Sequence, residues 1–475
     1  MKRILSLALV LAFALTLPGC GTAAADYTVL TADPVAATYD GSTEPAQTAL
    51  AGFGLDLLRG TRDQTEKPAL VSPLSAALAL SMAANGADGD TLAQFEAVLS
   101  GGAGLDMLNA LCQALTADYE SLGGSTECSI ANSLWVDPEG MIREDFIGRC
   151  GGIFDAQVIQ AQLSDPGIVP ALNGWVSDHT NGMIPGIIDQ PFAEEAAALL
   201  VNALYLKNTW AAEFDPNQTM ERTFTHGDGA EERMDFLRHF DRELPYLETA
   251  DSVGALLPYD DGRLSFFALM PAEEGADFGT WLAGLDGVAL GQLVRDSRDR
   301  ADFFLRLSLP KFESEWKGEL KDVLTALGLE LAFDDTGLAD FSLLGDNPYG
   351  YYLSQVIHAT KLEVNEEGTK AAAATVVEAT ASSAAPMEEP QGIELDFDRP
   401  FLYGIVDLDT GVPLFFGTFE EGALFPQGEE DPPSDEGDGV CEAKDGGGGR
   451  AVPLLPCQIA GVGGDVPIAR KRSHP

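Results

Sequence analysis

The apolar positions of this chain recur with two different periods. Leu50, Phe53, Leu57 and Leu58 sit at helical spacing, so ordered structure should begin near Gln47. Ser72-Pro73 stands ahead of Leu74, Ala77, Leu78 and Leu80-Ser81-Met82. That is a helix N-cap followed by proline at the first helical position, where its missing N–H is not needed. Ala198 to Leu206 is an almost unbroken apolar run, which suits a strand buried on both faces. Leu264 to Met270, closed by Pro271, reads as another strand. Phe303, Leu305, Leu307 and Leu309 alternate on one face of a third, closed by Pro310. Phe401 to Asp407 and Pro413 to Phe419 flank Asp409-Thr410-Gly411 and form a hairpin. Helices interleaved with long strands, ending in a β-rich run, predict an α+β fold with a large sheet. No internal repeat appears at the usual periods.

The two ends differ in character from the body. Met1-Lys2-Arg3 precedes a 14-residue apolar run, Ile4 to Leu17, which is short for a membrane span and reads as an export signal over 1–19. Leu17-Pro18-Gly19-Cys20 resembles the bacterial lipobox, which marks Cys20 for lipid attachment; a plain secretory signal is the other reading. Residues 20–46, rich in Ala, Thr and Asp, read as a linker from the anchor. Residues 422–475 combine an acidic, Pro- and Gly-containing stretch with Gly446 to Gly449 and the basic Arg470-Lys471-Arg472, the composition of a disordered tail.

Charge narrows the partners. Acids outnumber bases 75 to 28 in the 475 residues, a net charge of −47. Such a surface repels nucleic acid and anionic lipid, so any membrane contact is expected through the lipid anchor alone. Of six cysteines none forms a C-x-x-C pair, and no metal or cofactor is expected. No G-x-S-x-G, P-loop, H-E-x-x-H or EF-hand pattern occurs. His358, inside the strand-like run Leu353 to Ala359, reads as a core residue rather than a catalyst. The chain is expected to be no enzyme.

The most unusual segment is 361–392. Lys361 to Asn365 alternates like a strand, and Glu366-Glu367-Gly368 should turn the chain. Run on as a strand, Thr369, Ala371, Ala373, Thr375, Val377 and Ala379 share an uncharged face, while Lys370, Ala372, Ala374, Val376 and Glu378 share the other. Alanine also favours helix, so composition alone favours a helix or a flexible linker over a strand.

Its neighbours give the segment a context. Glu366-Glu367-Gly368-Thr369-Lys370-Ala371-Ala372-Ala373-Ala374-Thr375 resembles the hinge signature of the serpin family. Further serpin-like motifs follow in family order: Ser72-Pro73-Leu74-Ser75, Asn132-Ser133-Leu134-Trp135, Asn202-Ala203-Leu204-Tyr205-Leu206-Lys207, Leu309-Pro310-Lys311-Phe312 and Asp398-Arg399-Pro400-Phe401. The resemblance covers 47–421.

The resemblance implies a serpin fold of about nine helices around three β-sheets, with an exposed reactive-centre loop. It implies a monomeric suicide inhibitor of serine proteases, in which the cleaved loop enters the central sheet as a new strand. By family spacing from the hinge (Glu367, Gly368, Thr369 and Ala371 to Ala374), the reactive bond falls at Ser382–Ser383. The stretch up to Pro400 is longer than is usual in the family, which makes Met387 the main rival and leaves Ala381 and Thr380 open. Small bait residues point to an elastase-like or subtilisin-like protease, with a cysteine protease as a further class. Ser72, Ser75, Asn202 and His358 match the polar cluster beneath the central sheet, and Trp210 the aromatic residue where insertion begins. A non-inhibitory serpin acting as a surface binding module is the alternative. Outside the cell, tethered by lipid or secreted, is the expected location.

Overall fold

The computed structural model describes residues 24–65, 68–194, 196–300, 304–348, 350–369 and 392–421. Within them lie nine α-helices and three main β-sheets. The central sheet has seven strands, in the order Tyr27–Leu30, Gln157–Ala161, Glu127–Val136, Ala198–Thr209, Gly368–Thr369, Leu353–Val364 and Phe312–Glu319. A six-stranded sheet holds Leu264–Pro271 and the C-terminal hairpin Phe401–Asp407/Pro413–Phe419. A four-stranded sheet holds Met220–Thr225, Glu231–Glu243, Phe304–Pro310 and Ile393–Asp396.

Local chemistry accounts for much of this. Ser72 caps the Pro73–Ala84 helix, its hydroxyl accepting from the Ser75 N–H, with Pro73 at the first position. Every residue of that helix is buried, because it lies under the central sheet with the six-stranded sheet beyond it. The Ala198–Thr209 strand is buried along nearly its whole length, as its unbroken apolar run requires. One of its faces joins the main core through Ala198, Leu200, Leu204 and Leu206. The other packs Leu199, Val201 and Ala203 against Leu172, Trp175 and Val176 of the Ile168–His179 helix. The hairpin turns at Gly411, whose φ of 73° favours glycine.

Residues 24–43, read from composition as linker, are instead attached to the domain. Tyr27–Leu30 pairs antiparallel with Gln157–Ala161 and extends the central sheet by one edge strand. The Val35 N–H donates to Gly148 O at 2.8 Å, and the Ala37 N–H to Gln113 Oε1 at 3.1 Å. The Glu144–Phe154 helix carries glycines at 148, 151 and 152, a costly composition for a helix. The cost at two of them is explained by close approach. A Cβ at Gly148 would lie 2.5 Å from Asp33 O, and one at Gly152 2.4 Å from Val35 O. Gly151 faces open space.

This contrast is testable by chemical denaturation. Gly151→Ala should stabilise the protein by about 0.5–1 kcal/mol, the helix-propensity gain. Gly152→Ala should destabilise it by about 1–3 kcal/mol, as overpacking does. Equal stabilisation by both would contradict the docked position of 33–37.

Candidate functional site

The site is a slot in the central sheet that is closed at one end and open at the other. Ala198–Thr209 and Leu353–Val364 run parallel and pair directly from Leu353↔Ala198 to Ala359↔Ala203. Beyond that point they part. The chain leaves Val364, turns through Asn365 to Glu367 and re-enters antiparallel between them, with Gly368 opposite Thr209 and Thr369 opposite Asn208 and Val364. Asn365 builds the turn: its Oδ1 accepts from the N–H groups of Glu367 (3.0 Å) and Gly368 (3.2 Å). Only glycine fits at 368, since a Cβ there would lie 2.0 Å from Asn208 O.

The open end is held by polar and aromatic contacts. Trp210 donates through its backbone to Glu367 O (3.0 Å) and through Nε1 to Asn365 O (2.9 Å). Its ring stacks on Tyr259 at 4.9 Å. The Tyr259 hydroxyl is 2.5 Å from Thr369 Oγ1, so Thr369 is buried with its hydroxyl satisfied. Glu366 pairs with Lys311 Nζ at 2.9 Å and accepts from Thr219 Oγ1 at 2.8 Å. Burial works to raise its carboxyl, but the bonds from Lys311, its own backbone and Thr219 outweigh it and hold the pKa below the usual value.

The closed end is tied by a buried polar row. Asn132, Asn202 and His358 lie side by side on three neighbouring strands. Asn202 Nδ2 donates to Asn132 Oδ1, while Asn202 Oδ1 has no partner among the described residues. His358 Nε2 accepts from the Ser72 backbone N–H at 2.9 Å, which requires that nitrogen to be unprotonated. Ser72 Oγ donates to Leu414 O at 2.7 Å, and Thr360 Oγ1 to Leu70 O at 2.7 Å. The slot's second strand is thus fastened through the N-terminus of the Pro73–Ala84 helix to the C-terminal hairpin. Burial pushes the His358 imidazole down to about 4.

Ser72, Ser75 and His358 therefore come together, and Trp210, Glu367, Gly368 and Thr369 meet at the opposite end. Asn202 lies beside His358, but its side chain bonds to Asn132, a partner that sequence reasoning missed. The two asparagines are 70 positions apart, and nothing local links them. Cys20, Ala371 to Ala374, Ser382, Ser383 and Met387 lie outside the described residues.

The sequence model of the family described as serpin (serine protease inhibitor) matches residues 48–421. The chain belongs to the serpin family. Serpin-Z2A of Triticum aestivum is 33% identical over 382 residues, covering 77% of this chain and 93% of that protein. Iripin-8 of Ixodes ricinus is 30% identical over 377 residues, covering 77% and 90%. Among solved structures, the thermophilic serpin tengpin in its native state is 31% identical with a TM-score of 0.73, covering 82% of this chain and 97% of tengpin.

Serpins are protease inhibitors, not enzymes. Burial pushes the Cys112 thiol up to about 12 and raises the Cys150 thiol as well, so both are inert packing groups. Among the described residues no His, Cys, Asp and Glu side chains cluster so as to hold a metal ion.

The depressed His358 pKa makes the closed end sensitive to acid. Between pH 4 and about 6.5, the ordinary imidazole value, the unfolded chain holds a proton that the native chain refuses. Its stability contribution is complete above about pH 6.5 and is lost as the pH falls towards 4. His358→Gln keeps an acceptor for Ser72 but does not titrate. Its native unfolding free energy should fall less between pH 7.5 and 4.5 than that of the parent, by about 2–3 kcal/mol. Identical pH dependences in denaturant titrations would contradict this role.

Proposed function

We propose that this serpin is an inhibitory member acting on elastase-like or subtilisin-like serine proteases at the outer face of the cell membrane, tethered through lipid on Cys20. A protease serine attacks the carbonyl carbon of Ser382, the peptide bond to Ser383 breaks and its amine leaves. An ester to the protease remains. The freed loop then enters the slot as a full strand before water can cleave the ester.

The observation that carries this reading is the register of Gly368–Thr369. Continued along Ala198–Thr209, it sets Ala371 opposite Leu206, Ala373 opposite Leu204, Thr375 opposite Asn202 and Val377 opposite Leu200. Those partners face the main core, so the uncharged face of the loop is the one that would be buried. Continued along Leu353–Val364, the same register sets Thr375 opposite His358. Insertion would therefore part Asn202 from His358 and bring a hydroxyl towards the unpartnered Asn202 Oδ1. Thr369 to Ser382 is 14 residues, spanning roughly 46–50 Å when extended, enough to carry an attached enzyme from one pole of the domain to the other.

The test is incubation with neutrophil elastase, subtilisin and trypsin, followed by a denaturing gel and mass spectrometry of the released peptide. A denaturant-resistant complex is expected with one of the first two, and a peptide beginning at Ser383; one beginning at Glu388 would move the bond to Met387. Thr375→Arg should leave cleavage intact and raise the serpin consumed per trapped protease at least tenfold, because insertion would bury an unpaired charge opposite Asn202 and His358, which costs several kcal/mol. Clean cleavage with no trapped complex in the unmodified chain would overturn the inhibitory reading and favour a binding module.

A further inference from the structure

The four-stranded sheet offers a feature that loop insertion does not use. Its strands run in the order Ile393–Asp396, Phe304–Pro310, Glu231–Glu243, Met220–Thr225. Alternation sends Leu395, Leu305, Leu307, Leu309 and Leu237 into the core, all at most 2% exposed. The opposite face carries Met220, Arg238 and Phe240. Phe240 is 42% exposed and Met220 46%, large values for apolar side chains. Isolated apolar residues on a surface need no explanation, but these two are held together. The Arg238 guanidinium lies 4.4 Å from the Phe240 ring centroid, and its Nη1 is 2.9 Å from Met220 Sδ. Arg238 Nε is buried without a hydrogen-bond partner among the described residues.

The backbone presents this group deliberately. Leu305 pairs with Arg242 and Leu307 with His239, so Glu231–Glu243 carries one extra residue at Phe240–Asp241. Such a bulge re-aims a side chain. Beside it is a shallow cavity of about 420 Å³ lined by Arg238, Phe240, Arg306, Ser308, Glu394 and Asp396.

Position identifies the occupant. Ile393–Asp396 is the strand on which the chain re-emerges after the bait segment. Met387 is six residues before Ile393 and Ser382 eleven, at most about 22 and 40 Å of extended chain. A protease domain of roughly 230 residues has a radius of gyration of about 17 Å. A body of that size is therefore within reach of this face while its active site holds the loop. In a chain of net charge −47, an arginine framed by Phe240 and Met220 also relieves the repulsion that an acidic protease surface would meet.

We propose that the outer face centred on Arg238, Phe240 and Met220 is a second contact surface for the attacking protease, fitting an apolar patch flanked by a carboxylate. It rests on the reading of 370–391 as bait. The experiment compares the full chain with Phe240→Ser, Met220→Ser and Arg238→Gln, using subtilisin and neutrophil elastase as probes. The rate constant for complex formation, or for loop cleavage if nothing is trapped, should fall five- to fiftyfold in at least two variants with one of these proteases. Serpin consumed per protease should not change, since the slot is untouched, and the Arg238→Gln effect should shrink in high salt. A synthetic peptide of residues 376–390 competes for the active site alone and should be cleaved at one rate throughout. Rates within twofold of the parent, with native thermal midpoints, would overturn the proposal, as would a parent dimer that Phe240→Ser dissociates without changing the rate. An untrapped but cleaved parent would fail the inhibitory reading and leave this contact measurable through cleavage.

Discussion

Everything in this molecule turns on one incomplete strand pairing. Ala198–Thr209 and Leu353–Val364 are direct neighbours over half their length and separated over the rest. A strand from Thr369 to Ala379 would replace one shared edge by two. That adds on the order of ten ladder hydrogen bonds, each worth about 1 kcal/mol net. If the segment inserts only after cleavage, as proposed, the closed state forgoes that gain while the chain is intact. The stored difference is what an inhibitor of this kind would spend on carrying and distorting a protease.

The two ends of the slot divide the work. At the closed end, Ser72, Ser75 and His358 tie the parting strand to a helix cap and, through Leu414, to the hairpin. These are neutral hydrogen bonds in a dry environment, cheap to exchange for others but costly to leave unmade. At the open end, the Asn365 turn, the Trp210–Tyr259 stack and the Glu366–Lys311 pair hold the first two residues of the new strand in register. Under the proposed insertion, the direction of entry is therefore set before any cleavage. On the far side, the strap over 24–43 adds an edge strand and lies along the Glu144–Phe154 helix, so the chain enters the domain at the margin of this sheet.

How legible these features were depended on whether their causes were local. The Ser72-Pro73 cap and the Asp409-Thr410-Gly411 turn are encoded by adjacent residues, and they formed where expected. The uncharged face of 369–379 could be read as period-two alternation, but its slot could not, because the slot's walls are about 150 positions apart in sequence. The Asn132–Asn202 pair was hidden for the same reason. The strap was misread because four residues with Tyr27 and Val29 largely exposed carry no strong strand signal. Its trace lay elsewhere, in glycines 148 and 152, one helical turn apart on a helix that gains nothing else from them.

Under the proposed function, the seven-stranded central sheet is held short of a more stable, fully paired arrangement while the loop is intact. The most direct measurement is the thermal unfolding midpoint of the purified chain before and after a single cut within 370–391, both fragments being retained. Insertion worth about 10 kcal/mol should raise the midpoint by roughly 10–15 °C. A midpoint that stays the same or falls after the cut would contradict the account.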